Sequence, residues 1–262
     1  MIPSRRSAET RHPLAGRSLA LGAGAVLAAS IIAGLPAGGS VCPWCRSLLG
    51  LCDRVADPGS VALTFDDGPH PEATPRLLEI LAARDVRATF FLVGEQVQKR
   101  PALAAEIAAQ GHEIGLHSYS HAVLTWLTPQ AMRDELDRSA AAIGDAIGRV
   151  PDFFRPPRGV FTYSALAEVR RRGWQPVLWA VDGRDWRQSA TADSVYGRIA
   201  RRLTGGDVVL LHDSDFYSSP NSWVDTLDAV PMLLDEINRR GLGTTTLDGS
   251  CRTTDRSCPD PK

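Results

Sequence analysis

The stretch VALTFDDGP at residues 61–69 joins a run of apolar residues to two consecutive acids and a Gly-Pro pair. The apolar run has the length of a buried β-strand, and Gly-Pro is typical of a turn. A helical pattern follows at residues 75–84. This part of the chain is therefore predicted to form a strand–turn–helix unit.

The same alternation continues along the rest of the chain. Apolar runs predict seven strands, at 61–65, 88–93, 113–116, 153–155, 176–180, 207–212 and 244–247. Helical patterns lie between them, at 75–84, 101–110, 128–148, 163–172, 192–203 and 226–240. Repeated strand–helix units form a parallel sheet covered by helices. Seven units favour a closed or nearly closed (β/α) barrel over an open sheet.

The composition narrows the class of protein. Among 262 residues, 29 Lys and Arg balance 30 Asp and Glu, so the net charge is −1. Without a basic surplus we predict no nucleic-acid partner. Hydrophobic residues make up 44% and charged residues 23%, which are ordinary values for a globular protein. Disorder and a polytopic membrane protein are disfavoured.

The N-terminus has the layout of an export signal. Residues 1–17 contain four arginines and one acid, and residues 18–35 contain no charge. As a helix, 18–35 would rise about 27 Å, close to the thickness of a bilayer core. Small residues at 37 and 39 also suit a cleavage site. A cleaved signal peptide and an anchor that contacts the membrane both stay open, and either places the domain outside the cytoplasm.

The five cysteines flank the strand–helix pattern. Cys42, Cys45 and Cys52 precede it, and Cys251 and Cys258 follow it. Disulfides persist outside the cytoplasm, so we expect a bridge between the two groups if the first and last strands are neighbours. Zinc binding and redox chemistry are the alternatives. The odd number leaves one cysteine free or bonded to another molecule.

Polar residues follow five of the predicted strands at their carboxyl ends. The segments are Thr64–Pro69, His117–His121, Arg155–Gly159, Asp182–Trp186 and Leu210–Asp213. Reactive residues of α/β barrels collect at this edge of the sheet. We therefore predict one active site there.

The spacing of two histidines indicates a metal. His117 and His121 are four residues apart, which on a helical turn places both imidazoles on the same side. Two surface histidines without a metal are the alternative. One carboxylate from Asp66 and Asp67 would complete a His₂Asp set with an open position, as in catalytic zinc sites. The other carboxylate could then act as a base.

Four further residues fit around such a site. Arg155 near the acids would keep a carboxylate ionised, although a purely structural salt bridge is the alternative. His212 could be an acid opposite the base, with Asp185 favouring its protonated form. Trp186 either walls a small apolar pocket or belongs to the core.

Three features outside this group have simpler interpretations. We interpret His112 as structural and His70 as a solvated loop residue. The segment 217–223 combines serines with aromatic residues after the sixth strand. It is a candidate for stacking against sugars.

These segments, in this order, resemble the polysaccharide deacetylases of carbohydrate esterase family 4 over residues 60–247. The resemblance implies an α/β fold, a distorted (β/α) barrel with about seven parallel strands. It implies a metal, usually Zn²⁺, held by Asp67, His117 and His121. The same three donors also accept other transition metals such as Co²⁺. It further implies that Asp66 is the catalytic base and His212 the catalytic acid.

The same resemblance implies supporting roles for five residues. Arg155 orients the base and Asp185 tunes the acid. Trp186 and Leu210 line an acetyl pocket, and the backbone N–H of Arg158 helps to bind the oxyanion.

Two positions depart from the family's pattern. Arg158 stands where the family often has Tyr or Phe, which could change the contacts to the sugar. Leu116 stands where Asn is frequent, before the first metal-binding histidine. That change could alter a hydrogen bond beside the metal and hence the metal affinity.

The implied function is metal-dependent removal of N-acetyl groups from N-acetylglucosamine-containing polysaccharide, either peptidoglycan or chitin oligomers, with release of acetate. O-deacetylation, as in acetylxylan esterases, is the alternative at the same site. A metal phosphohydrolase is disfavoured because two histidines suit softer metals. A non-catalytic sugar-binding barrel is disfavoured because it would need neither Asp66 nor His212.

The expected organisation has four parts. They are a signal peptide or membrane anchor at 1–39, a Cys-containing linker at 40–59, the deacetylase domain at 60–248 and a Cys-containing tail at 249–262. We expect a monomer that is secreted or is anchored by residues 18–35 to the outer face of the cytoplasmic membrane.

Overall fold

A computed structural model describes residues 43–247 and 251–252 of the chain. The strands are β1 (Arg54–Val55), β2 (Ser60–Asp66), β3 (Thr89–Leu92), β4 (Glu113–Leu116), β5 (Phe153–Phe154), β6 (Gln175–Pro176), β7 (Val181–Asp182), β8 (Val208–His212), β9 (Gly243–Thr245) and β10 (Cys251–Arg252). The helices are α1 (Pro43–Leu48), α2 (Ala73–Ala82), α3 (Gly94–Lys99), α4 (Pro101–Ala109), α5 (Pro129–Ile147), α6 (Tyr163–Arg171), α7 (Ala192–Ala200) and α8 (Ser222–Arg239).

Seven parallel strands form the main sheet in the order β6-β5-β4-β3-β2-β8-β7, and β9 pairs with the start of β2. Every neighbouring pair in this sheet is parallel. All carboxyl ends therefore meet at one edge. The predicted α/β fold, a distorted (β/α) barrel with about seven parallel strands, is confirmed.

The fifth predicted strand is wrong in its bounds. The apolar run at 176–180 is split, because β6 ends at Pro176 and β7 begins only at Val181. A proline cannot donate a ladder hydrogen bond, which limits pairing at the end of β6. Beyond Pro176, the N–H of Val177 still donates to the carbonyl of Phe154, and Val177 forms an isolated bridge with Cys52.

Local sequence signals explain the helix ends. The side chain of Thr128 accepts a hydrogen bond from the N–H of Ala131, and Pro129 is the first residue of α5. Gly148 ends the same helix in the left-handed conformation, with φ of 79°. Helix α3 was not predicted. It is only six residues long, too short for a periodic pattern to stand out.

A disulfide links Cys52, which precedes β1, to Cys251 of β10, with 5.7 Å between the two Cα atoms. β1 pairs antiparallel with β10, and Val55 lies opposite Cys251. Cys52 is fully buried. The expected bridge between the two cysteine groups is therefore present.

The predicted signal or anchor at 18–35 and the cysteines Cys42 and Cys258 lie outside the described residues. Among the helices that are described, none is both long and apolar enough to cross a membrane.

Replacement of Cys52 and Cys251 together by alanine is expected to lower the free energy of unfolding by about 2–5 kcal/mol, because the disulfide restricts a long loop in the unfolded chain. The two cysteines are 199 residues apart in sequence. Denaturant unfolding measures the loss. Reductant should reproduce it in the wild type and have no effect on the double variant; a wild-type protein unaffected by reductant contradicts the prediction.

Candidate active site

Asp66 and Asp67 are adjacent in sequence but have different partners. Asp66 is the last residue of β2, and its Oδ1 accepts a hydrogen bond of 2.7 Å from Arg155. Asp67 has a positive φ of 78° and turns towards the loop after β4. Its Oδ1 lies 3.4 Å from Nε2 of His117 and 3.3 Å from Nε2 of His121. The two acids thus face the same site, Asp66 bound by Arg155 and Asp67 beside both histidines.

The three predicted metal ligands form one cluster. One donor atom from each of Asp67, His117 and His121 lies within 4.8 Å of the others. Nδ1 of His117 donates to the carbonyl of Arg155 at 2.8 Å, which leaves Nε2 with its lone pair facing the cluster. A neutral Nε2 cannot donate to the carboxylate.

The charges of these groups fit a metal ion. Oδ1 of Asp67 is buried and accepts no hydrogen bond from any described residue. Burial lowers the pKa of His121, which favours the neutral imidazole that a metal requires. One carboxylate and two imidazoles therefore suit a divalent transition metal.

The guanidinium of Arg155 fixes Asp66. Arg155 is fully buried, and Nη1 also donates to Oγ1 of Thr64 at 2.8 Å. Nη2 donates to the carbonyl of Leu178 at 2.9 Å. The other carboxylate oxygen of Asp66, Oδ2, faces the cluster and lies 3.7 Å from Nε2 of His117. The predicted neighbourhood of Arg155 and Asp66 is present in the structure.

His212 lies next to Asp66, because the two residues are register partners in the neighbouring parallel strands β2 and β8. Nδ1 of His212 contacts Asp185 at 2.9 Å, and the backbone N–H of His212 donates to the same carboxylate at 2.7 Å. Thr226 completes the contacts of Asp185 through its hydroxyl. Burial opposes protonation, but Asp185 outweighs burial and raises the pKa of His212 to about 10.

One cavity of about 250 Å³ connects these groups. Eight predicted site residues line it, namely Asp66, Asp67, His117, His121, Arg158, Trp186, Leu210 and His212. The other two, Arg155 and Asp185, are fully buried behind it. The Trp186 ring meets the His212 ring edge-on at 5.4 Å. The structure thus brings all ten predicted residues together.

Four more residues line the cavity: Gly159, Trp179, Tyr217 and Ser218. Tyr217 and Ser218 fall in the segment predicted to stack on sugars. Trp179 had no predicted role, although its position near a strand end was a usable signal. Gly159 has a φ of 69°, and a Cβ there would collide with the Trp179 indole. Only glycine fits this wall of the cavity.

The histidine predictions outside the site have mixed outcomes. His112 is buried and its Nδ1 accepts the N–H of Ala88, so its structural role is confirmed. The prediction for His70 is wrong. His70 is only 8% exposed, and its Nδ1 accepts the N–H groups of Glu72 and Ala73. The imidazole thereby accepts hydrogen bonds from two backbone N–H groups at the start of α2 that have no partner within the helix. No sequence pattern predicted this role.

Two other positions have a structural explanation. Asp182 accepts a hydrogen bond of 3.1 Å from Nε of Arg198. Leu116 is fully buried in the core. The hydrogen bond that orients His117 comes from the carbonyl of Arg155, so it does not depend on the side chain at position 116.

A parallel (β/α) barrel with a His/His/Asp cluster at its strand ends indicates an enzyme with a candidate metal centre. Comparison with known proteins gives the family. The polysaccharide deacetylase family matches residues 53–177. A chitooligosaccharide deacetylase from Bradyrhizobium is 35% identical over 189 residues, which cover 70% of this chain and 86% of the relative. This chain belongs to the polysaccharide deacetylase family.

Two further relatives agree. A peptidoglycan-N-acetylglucosamine deacetylase from Bacillus cereus is 33% identical over 74% of this chain and 68% of its own length. A family 4 carbohydrate esterase from Streptomyces lividans, solved with acetate, is 32% identical with a TM-score of 0.67. That structure covers 76% of this chain, and the match spans 98% of the esterase.

Replacement of His117 by alanine is expected to weaken zinc binding more than about 100-fold, because loss of a mere hydrogen-bond partner of a ligand already costs 10–100-fold. Titration of metal-free protein with Zn²⁺ in competition with a chelator measures the affinity. His112→Ala is the matched control, since this buried histidine lies outside the cluster, and it should bind one zinc like the wild type. Equal affinity of the two variants would exclude His117 as a ligand.

Proposed function

We propose that this chain is a metal-dependent hydrolase that removes N-acetyl groups from N-acetylglucosamine-containing polysaccharide and releases acetate. The main support is the placement of Asp66 and His212 on paired strand ends beside the Asp67 cluster, in one cavity. A base and an acid thus flank a metal-binding position. The names of the relatives, chitooligosaccharide deacetylase and peptidoglycan-N-acetylglucosamine deacetylase, support this substrate class.

The metal would be held by Asp67, His117 and His121. Zn²⁺ suits this donor set best, and Co²⁺ is a second ion that it would accept. When bound, such an ion lowers the pKa of water and polarises a carbonyl oxygen. The protein's own residues then position the acetyl group and move the protons.

Asp66 is proposed as the base that accepts the proton of the attacking water. Oδ1 is bound by Arg155, and Oδ2 faces His117, so Oδ2 is the oxygen that receives the proton. The hydrogen bond from Arg155 fixes the rotation of this carboxylate. The backbone N–H of Arg158, at the wall of the cavity, would help to stabilise the oxyanion.

His212 is proposed as the acid that protonates the departing nitrogen. An amide needs this proton because an amine anion is too basic to leave. Nδ1 faces Asp185, so Nε2 carries the proton that is transferred. Trp186 and Leu210 would enclose the acetyl methyl group in the same cavity.

The N-acetyl reaction is favoured over O-deacetylation because Asp185 positions His212 at the cavity as a proton donor, and a departing amine needs such a donor. An ester releases an alkoxide, which needs less acid assistance than an amine does. O-deacetylation of an acetylated polysaccharide such as xylan is the second candidate. It uses the same cavity and the same residues.

We further propose that the domain works outside the cytoplasm as a monomer. The disulfide between Cys52 and Cys251 supports an oxidising location. Secretion, or anchoring to the membrane through residues 18–35, belongs to this proposal. The proposal also includes domain boundaries at residues 60 and 248. Leu51 and Val55 lie within the predicted linker, and both side chains are buried in the core.

The zinc-loaded protein is expected to release acetate from N-acetylglucosamine oligomers or peptidoglycan, and Asp66→Asn is expected to lower kcat by about 10²–10⁴-fold while it keeps the metal. Acetate is measured on these two substrates and on acetylated xylan side by side. Asp134→Asn, an exposed change on α5, is the control. Acetate from xylan alone would establish O-deacetylation, and full activity of Asp66→Asn would refute its role as base.

Asp185→Asn is expected to move the basic limb of the kcat/KM profile to lower pH by about 1–3 units. The acid must be protonated, and loss of the Asp185 charge lowers the pKa of His212, so the protonated form disappears earlier as pH rises. A bound cation also lowers the pKa of His212, in wild type and variant alike.

The control for this pH profile is Asp182→Asn, three residues earlier in the chain and paired with Arg198. It should leave the basic limb in place. A basic limb that stays unchanged in Asp185→Asn would show that His212 does not titrate as the acid.

A further inference from the structure

The second metal-binding histidine lacks the hydrogen bond that orients the first. Nδ1 of His117 is held at 2.8 Å by the carbonyl of Arg155. Within 43–247 and 251–252, His121 makes no hydrogen bond through Nδ1, and its polar contact is Nε2 to Asp67 at 3.3 Å. A histidine that binds metal almost always has a partner for its other nitrogen. Among the described residues, no side chain or carbonyl therefore orients His121 through Nδ1.

A ring stack contacts His121 instead. The Tyr217 ring lies parallel to the His121 imidazole, with 4.1 Å between centroids and 13° between planes. Stacking of this kind fixes the plane of the imidazole but leaves both nitrogens free. Tyr217 is thus placed to restrict rotation of His121 without competing for the atom that binds the metal.

The tyrosine ring is itself anchored at its far end. Its hydroxyl donates to Oε1 of Glu95 at 2.8 Å and accepts from Nε2 of Gln96 at 3.1 Å. Both residues belong to α3, which was not predicted from the sequence. A tyrosine fixed by two hydrogen bonds is a rigid support rather than a mobile neighbour.

The same helix also binds the loop that carries His121. The N–H of Gly94 donates to the carbonyl of Ser118 at 3.0 Å, and the N–H of Glu95 donates to the carbonyl of Tyr119 at 2.8 Å. The start of α3 therefore fixes both the backbone before His121 and the ring stacked on its side chain.

We propose that Tyr217 is a positioning residue that holds the imidazole of His121 in the orientation required for metal binding. This inference rests on the metal site proposed above, and it concerns binding of the ion rather than turnover. Its physical basis is entropy: a side chain already fixed in its bound rotamer loses less freedom when the ion arrives.

Tyr217→Leu is expected to weaken Zn²⁺ binding about 10-fold, at the lower end of the range for loss of an orienting partner. Tyr217→Phe keeps the ring and should stay within about 3-fold of the wild type. Affinity is measured by chelator competition on metal-free full-length protein. The visible absorption of the Co²⁺-loaded protein is a second readout, and its bands should change in Tyr217→Leu alone.

Phe216→Leu is the matched control. This ring is adjacent in sequence and meets the Tyr217 ring edge-on at 6.4 Å between centroids, but it packs against His70, at 4.9 Å, and not on His121. It should change neither zinc affinity nor the cobalt spectrum. Thermal unfolding of each metal-free variant reports folding, and Tyr217→Ala replaces Tyr217→Leu if the leucine variant is unfolded.

Three results would overturn the proposal. Zinc affinity of Tyr217→Leu within 2-fold of the wild type, with an unchanged cobalt spectrum, removes the positioning role. An equal loss in Tyr217→Phe and Tyr217→Leu removes the ring stack as its cause. A wild-type protein that binds no zinc removes the metal site itself, and with it the proposed function.

Discussion

The buried guanidinium of Arg155 is the interaction on which the strand ends depend. It donates to Thr64 and Asp66 of β2 and to the carbonyl of Leu178 between β6 and β7. Its own backbone carbonyl accepts from His117. One residue at the end of β5 thus fixes the position of a candidate base and of a candidate metal ligand. Since breaking a buried charge pair costs about 3–5 kcal/mol, these positions are coupled to the stability of the sheet.

Local backbone strain shapes the site around this anchor. Among the described residues, seven other than glycine have a positive φ, and five of these lie in the segments at the strand ends. These five are Asp67, Ser118, His121, Arg158 and Arg184. Such conformations persist only where surrounding contacts impose them, and they cluster at functional sites. The disulfide and the parallel ladders hold the strands, and the loops between them carry the strain.

The sequence predicted the strands well because burial on both faces makes each strand a continuous apolar run. It indicated the polar residues of the candidate site because they stand at strand ends, directly after such runs, whereas Arg158, Trp186 and Leu210 were assigned from the family resemblance. It did not predict α3, and it misplaced His70 in solvent, since both depend on contacts between distant segments. The stack of Tyr217 on His121 likewise joins residues 96 positions apart, and no local pattern reports such a contact.

Asp66 and Asp67 have different partners because of one backbone angle, the φ of Asp67. Successive side chains of an extended strand point to opposite faces, so two adjacent acids could not both face the site if β2 continued. The φ of 78° at Asp67 ends the alternation and turns its carboxylate to the histidines. Asp66 keeps the strand geometry and meets Arg155. Two like charges can then share one cavity, because each has its own counter-group: a guanidinium for Asp66, and two imidazoles with the ion they would bind for Asp67.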